Sequence, residues 1–204
     1  PPSPPSPPPP PPAAPAPPPA PPHAPRATFF LSGPSVTQDT RIRSRYPANN
    51  YGDSTVVWWD GNGATDRDYI LLKFDLSSIT SAYFVDRVIL HWRTQNEGNL
   101  AEMHELNLSW DEATVTYSNL PMPTTPPLPT HSSIGSLAGP SVNDLPGASG
   151  PHSVDGTESV RRWLSGTANN GWIFVPYFGN GCGIYSSEST NTAYHPKLEF
   201  HIST

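Results

Sequence analysis

The amino-acid sequence predicts an all-β sandwich with one short helix, preceded by an arm in the polyproline II conformation. Three observations carry this. Charged residues make up only 14% of the 204-residue chain, against a usual figure of about 25%. Thr, Ser, Asn and Gly are abundant in their place, which favours strands and polar turns over long surface helices. Short runs with strand character recur about every dozen residues between turn-rich segments, the spacing of a sandwich. Finally, most of the 29 prolines lie before Arg26, so the part able to build a core is close to one ordinary domain.

Residues 1–27 form the arm and residues 28–204 the domain. In PPSPPSPPPPPPAAPAPPPAPPHAP, consecutive prolines fix φ near about −65° and remove amide donors, leaving polyproline II as the regular conformation. At about 3.1 Å per residue the first 22 residues extend about 70 Å. Such a rod reaches a neighbouring molecule, and Pro1, Pro2, Pro4, Pro5, Pro7, Pro8, Pro9, Pro10, Pro11 and Pro12 are read as inter-subunit contacts. A passive spacer is the alternative. The PPSPPSPP repeat resembles the hydroxyproline-rich glycoproteins of plant and green-algal cell walls, whose prolines are hydroxylated and carry sugars.

Within the domain, VTQDTRIRS from Val36 to Ser44 alternates as an edge or half-buried strand does. Pro47, Asn49, Asn50 and Gly52 then supply turn chemistry. Strands are expected at Thr55 to Trp59, Tyr69 to Phe74, Arg87 to Arg93 and Met103 to Ser109. After Trp110, alternation of Ala113, Val115 and Tyr117 with Thr114 and Thr116 predicts another, stopped by Pro121. Residues Pro121 to Pro151, rich in Pro, Ser, Thr and Gly and with Ile134 and Leu137 as the obvious anchors, read as a loop that includes one short strand. The helix is expected from about Asp155 to Leu164. Asp155 and Glu158 have capping-box spacing, Val160, Trp163 and Leu164 share a face, and Gly166 is the stop. Asn169-Asn170-Gly171 turns the chain into WIFV, and strands near Gly183 to Ser186 and Lys197 to Ile202 complete the sandwich.

A formal net charge of −6 provides no basic field for phosphate backbones, so no nucleic-acid partner is expected. Apolar runs such as Val56 to Trp59 are far shorter than the ~20 residues that cross a bilayer. Opening on Pro1 rather than methionine, the chain reads as a processed mature protein or a piece of a longer one. The proline-serine tract, the scarcity of lysine, with only Lys73 and Lys197, and the sequon Asn107-Leu108-Ser109 point to secretion, with Asn107 the glycosylation candidate. Cys182 is the single cysteine. It forms no intrachain disulfide and is read as a small buried side chain, with a reactive or intermolecular thiol as the alternative.

Five segments, DTRIRSRYPANNYGDS, LLKFDLSSI, SWDEATVTYSNLP, VRRWLSGTANNGWIF, and YSSES followed by HPKLEFHI, occur in this order from about Ser35 to Thr204. Together they resemble the DNRLRE domain family, although the naming hexapeptide is not present literally. The resemblance implies a jelly-roll-like β-sandwich of secreted and cell-surface proteins. Some members bind acidic polysaccharide, and others serve as surface or stalk modules.

Candidate site residues follow from strand geometry. Neighbours on a strand point to opposite faces, so of Trp58 and Trp59 one can present its ring to a sugar or to proline. The pair Trp92 and His91 poses the same question, as does Tyr185 with Ile184. With Arg41, Arg43 and Arg45, the residues Trp58, Trp59 and Trp92 form the candidate platform for a ligand or the arm. Asp111 and Glu112, adjacent in the chain, point apart and do not address one glycosidic bond. The seven histidines lack metal-site spacing, and no GxSxG elbow is present. No catalytic residue is assigned and no cofactor is required. Asp53, Asp60, Asp66 and Asp68 lie in turn segments where a structural calcium ion could be held. The function expected is a non-catalytic extracellular structural glycoprotein that assembles through its arm into an oligomer, fibre, wall or surface layer. The alternative is a carbohydrate-binding module on a proline-rich linker.

Overall fold

The computed structural model describes residues 27–62, 66–80, 83–120, 134–137, 148–177 and 179–203. The expectations for the arm fall on residues 1–26, outside these. The described residues form two antiparallel sheets and one α-helix. The first sheet contains β1 (Ala27–Ser32), β3 (Val56–Trp59), β5 (Phe84–Thr94), β8 (Gly150–Asp155), β10 (Cys182–Tyr185) and β11 (Lys197–Ser203). Its order is β1-β11-β5-β10-β3, with β8 pairing the other side of β5. The second sheet runs β2 (Thr37–Arg43), β4 (Asp68–Phe74), β9 (Trp172–Pro176), β6 (Ala101–Leu106) and β7 (Ile134–Leu137).

Period two sets the faces. In KLEFHIS of β11, Leu198, Phe200 and Ile202 point into the sandwich while Lys197, Glu199 and His201 are partly exposed. β5 does the same with Val88, Leu90 and Trp92 against Ile89, His91 and Arg93. By contrast, DYILLKF of β4 and WIFVP of β9 are buried almost throughout, because the second sheet carries apolar clusters on both faces. Ile70, Leu72, Phe74, Trp172 and Phe174 belong to the core between the sheets. Tyr69, Leu71, Ile173 and Val175 join a second cluster with Trp110, Val115 and Leu120.

That second cluster corrects one expected element. Residues Ala113 to Tyr117 are not a strand but a chain of turns laid over the outer face of the second sheet. Local polar side chains take the backbone groups that a ladder would have used. Asp111 Oδ1 accepts from the Ala113 amide at 3.1 Å, Asn119 Oδ1 from Thr116 at 2.8 Å, and Asn119 Nδ2 donates to the Thr114 carbonyl at 2.9 Å. The alternation of Val115 and Tyr117 marks residues that pack downward from a lid. β6 likewise ends at Leu106 rather than Ser109. β1 and β8, short and weakly patterned, were not expected; their partners β11 and β5 define them. Within Pro121 to Pro151, β7 (Ile134–Leu137) pairs with β6, while residues 121–133 and 138–147 of the expected loop lie outside the described residues.

Helix α1 (Thr157–Leu164) falls where expected, although not with the expected cap. Asp155 Oδ1 accepts from the Thr157 amide at 2.9 Å, whereas Glu158 pairs with Arg161. Val160 and Trp163 enter the inter-sheet core; Leu164 stays 38% exposed. Arg161 donates to the Val85 and Asp86 carbonyls of β5, and Arg162 pairs with Glu105 of β6, so the helix spans the two sheets. Just past its Ser165 cap stands Gly166, whose φ of +106° favours glycine.

Cys182 lies on the inward face of β10, fully buried, with its thiol 3.2 Å from the Asn96 carbonyl. Burial pushes the thiol up to about 11, so little thiolate exists near neutrality. The folded protein is expected to leave Cys182 unlabelled by a thiol-specific disulfide reagent until denaturant is added. Fast labelling without denaturant would contradict the burial.

Candidate functional site

The two outer faces of the sandwich are not equivalent. The second sheet is covered by the Trp110 to Leu120 segment, whereas on the first sheet a row of aromatic and basic side chains stands partly exposed. Trp58 is its first member. Adjacent Trp59 points inward, fully buried, with its ring stacked on Phe174 at 5.9 Å and its indole N–H donating to the Asn99 carbonyl at 2.8 Å. Trp58 therefore points outward, cross-strand from Gly183. A Cβ at Gly183 would meet the indole at 2.9 Å, so glycine lets that ring lie across β10.

Two residues along β10, about 7 Å away, Tyr185 emerges on the same face. Its ring contacts Tyr194 at 4.8 Å, and the Arg93 guanidinium lies 4.6 Å above the Tyr194 ring. Lys197 continues the row on β11, with Nζ 5.0 Å above Phe30 of β1, a ring 52% exposed. Glu199, on the same strand face, is committed elsewhere. It accepts from His91 at 2.8 Å and lies 2.9 Å from the His201 ring nitrogen as an ion pair. Burial pushes its carboxyl up, but these two histidines outweigh that and hold it below the ordinary range. Among the described residues Arg93 and Lys197 form no ion pair. This face thus offers flat apolar rings beside uncommitted cations, one with the planar fork that addresses carboxylates in bidentate fashion.

The sequence-derived platform is divided by the fold. Trp59 and Trp92 are core residues; Trp92 is 3% exposed and packs against Phe174 and His152. Their buried rings face the opposite sheet and cannot meet a ligand. Arg41, Arg43 and Arg45 lie together along the β2 edge, each engaged. Arg41 and Arg43 pair with Asp68 at 3.3 and 2.8 Å, and Arg43 and Arg45 with Asp66 at 3.3 and 3.2 Å. The guanidinium groups of Arg41 and Arg43 also cover Tyr51 and Tyr46. This network closes an edge of the sandwich and leaves little cationic character for a ligand.

The same pairs occupy two of the four aspartates considered for calcium. Asp53 is exposed, and Asp60 forms a backbone bridge with Asp68. The acids that the fold gathers are others: Asp39, Glu112 and Glu188 each place a carboxylate oxygen within 4.8 Å of the others. Asp111 instead caps the turn at Ala113. Asn107 lies just past β6 and is exposed, as is its neighbour Leu108.

Reasoning from sequence named Trp58 but did not assemble its neighbours. Alternation places Arg93 and Lys197 outside, a signal present in β5 and β11. Nothing in the sequence places Tyr194, which lies in a short 3₁₀ turn, beside Tyr185 and Arg93.

No curated protein matches the chain significantly. The likeness to the DNRLRE family rests on the quoted motifs alone. A family model does match, that of carbohydrate-binding module family 96, over residues 32–201. It spans β2 to β11 almost entirely, both faces of the sandwich included, and the chain belongs to carbohydrate-binding module family 96.

Proposed function

We propose that this protein is a non-catalytic extracellular module that binds an acidic polysaccharide across the outer face of the first sheet. The observation that carries the reading is the pairing of uncommitted Arg93 and Lys197 with the rings of Tyr194 and Phe30. Rings supply contact with the apolar faces of sugars, and the cations select carboxylated or sulfated chains over neutral ones. Trp58, Tyr185 and Tyr194 provide the extended part of the platform. Among the described residues the opposite face offers no comparable surface, because the Trp110 segment lies on it.

Affinity electrophoresis through gels containing a polyuronate, compared with a neutral β-glucan, tests this directly. Retardation is expected in the polyuronate gel, reduced by salt and by Arg93→Ala with Lys197→Ala. Equal mobility in polyuronate and blank gels would overturn the proposal. Deleting Pro1 to Pro22 should leave retention unchanged. The structural-subunit reading instead requires the deletion to lower particle mass in light scattering, which separates the two.

A further inference from the structure

We propose that Asp39, Glu112 and Glu188 form a divalent-cation site suited to calcium, tying β2, the turn after Trp110 and the loop after β10 into one corner of the sandwich. The three come from distant parts of the chain, yet each offers an oxygen within 4.8 Å of the others. One oxygen of each is already used in holding the cluster together. Asp39 Oδ2 accepts from the Ser187 amide at 2.8 Å, Glu112 Oε1 from the Asp39 amide, and Glu188 Oε1 from the Ser187 hydroxyl at 2.8 Å. Asp39 Oδ1 and Glu188 Oε2 are both buried without a hydrogen-bond partner.

Asp39 itself is wholly buried, and among the described residues no lysine or arginine forms an ion pair with any of the three. A buried carboxylate that is unpaired is costly; it is normally matched by a cation or a proton. Burial and then the charge of Glu188 push Asp39 well above the ordinary carboxylate range. Burial, with Glu188, Asp111 and Asp53, pushes Glu112 up to about 7. Three acids in mutual repulsion have the character of a cation site seen without its cation.

An all-oxygen donor set selects a hard ion. Opposite ligands of calcium, bound at about 2.3–2.6 Å, stand roughly 4.6–5.2 Å apart, so oxygens within the observed separation can share it as they stand. Magnesium is more restrictive, since its opposite ligands stand about 4.1 Å apart and it sheds water reluctantly. The loop positions are themselves fixed. Asn50 Nδ2 donates to the Glu112 and Val115 carbonyls at 2.7 and 2.8 Å, and the Ser186 hydroxyl to the Ser54 carbonyl at 2.6 Å.

Calcium titration of the chelator-treated full chain, followed by calorimetry and thermal melting, tests the site. At a concentration near 100 times Kd, calcium should raise Tm by about 5–10 °C, and magnesium by less. Glu188→Gln should weaken calcium binding at least about tenfold, since ligand charge sets affinity. In chelator that variant should melt no lower than the parent, because one repelling charge is gone. Absence of binding heat and of any Tm shift at about 1 mM calcium would overturn the site. An undiminished shift in both Glu112→Gln and Glu188→Gln would do so as well, by locating the ion elsewhere. Retention on polysaccharide, read separately in chelator, reports on the sugar face alone.

Discussion

Alanine at Trp58 and at Trp59, neighbours in the chain, is expected to give opposite results. Trp59→Ala should destabilise the fold by about 3–5 kcal/mol, the usual cost of deleting a buried tryptophan. Its ring is fully buried, stacks on Phe174 and spends its N–H on the Asn99 carbonyl, so the variant loses dispersion contacts and strands that carbonyl. For a domain of this size that corresponds to a fall in Tm of about 6–20 °C. Trp58→Ala removes a partly exposed ring lying across Gly183 and should change stability by no more than about 1 kcal/mol. Its effect appears in binding, where loss of one stacked ring, about 1–2 kcal/mol, weakens polysaccharide affinity about 5- to 30-fold. Trp58→Phe should retain most of that affinity. Melting curves and gel retention measured side by side distinguish the two. Unchanged retention for Trp58→Ala would remove this ring from the platform.

Trp110→Ala is expected to cost about 3–5 kcal/mol as well, for a different reason. Trp110 is the anchor of the segment that covers the second sheet. Its N–H donates to the Asn170 carbonyl at 2.8 Å, and Lys73 both covers the ring at 4.7 Å and donates to the Trp110 carbonyl at 2.9 Å. Without the ring, Tyr69, Leu71, Ile173 and Val175 lose part of their cover, and Glu112, two residues on, loses its fixed position. The variant should therefore melt lower and also lose calcium-dependent stabilisation. Trp110→Phe keeps the apolar cover but not the N–H and should cost about 1 kcal/mol. A Trp110→Ala protein that melts with the parent would show that the segment does not hold the second sheet.

The strands and the helix were legible where side-chain period and burial agree. KLEFHIS, FVDRVILHWRT and TESVRRWL each display one face to the core, and their pattern assigned each element to within a few residues of its ends. The Trp110 segment misled because Val115 and Tyr117 alternate for a lid as they would for a strand; only the hydrogen bonds of Asp111 and Asn119 show the backbone turning. Alternation also required that Trp58 and Trp59 face opposite ways, without saying which was outside. That choice depends on which sheet β3 joins and on the opposite sheet lying over Trp59.

What the sequence by itself determined was the class: strands, one helix, and a buried unpaired cysteine. Those features are local, set by side-chain period and by residue type. The platform and the acid cluster were decided by tertiary structure alone. Arg41, Arg43 and Arg45 look like ligand contacts until the β4 pairing brings Asp66 and Asp68 against them. Asp39, Glu112 and Glu188 look unrelated until β2, the lid and the loop after β10 converge. Charge in a folded protein is read from which partners come within a few ångströms, and sequence separation carries no record of that distance.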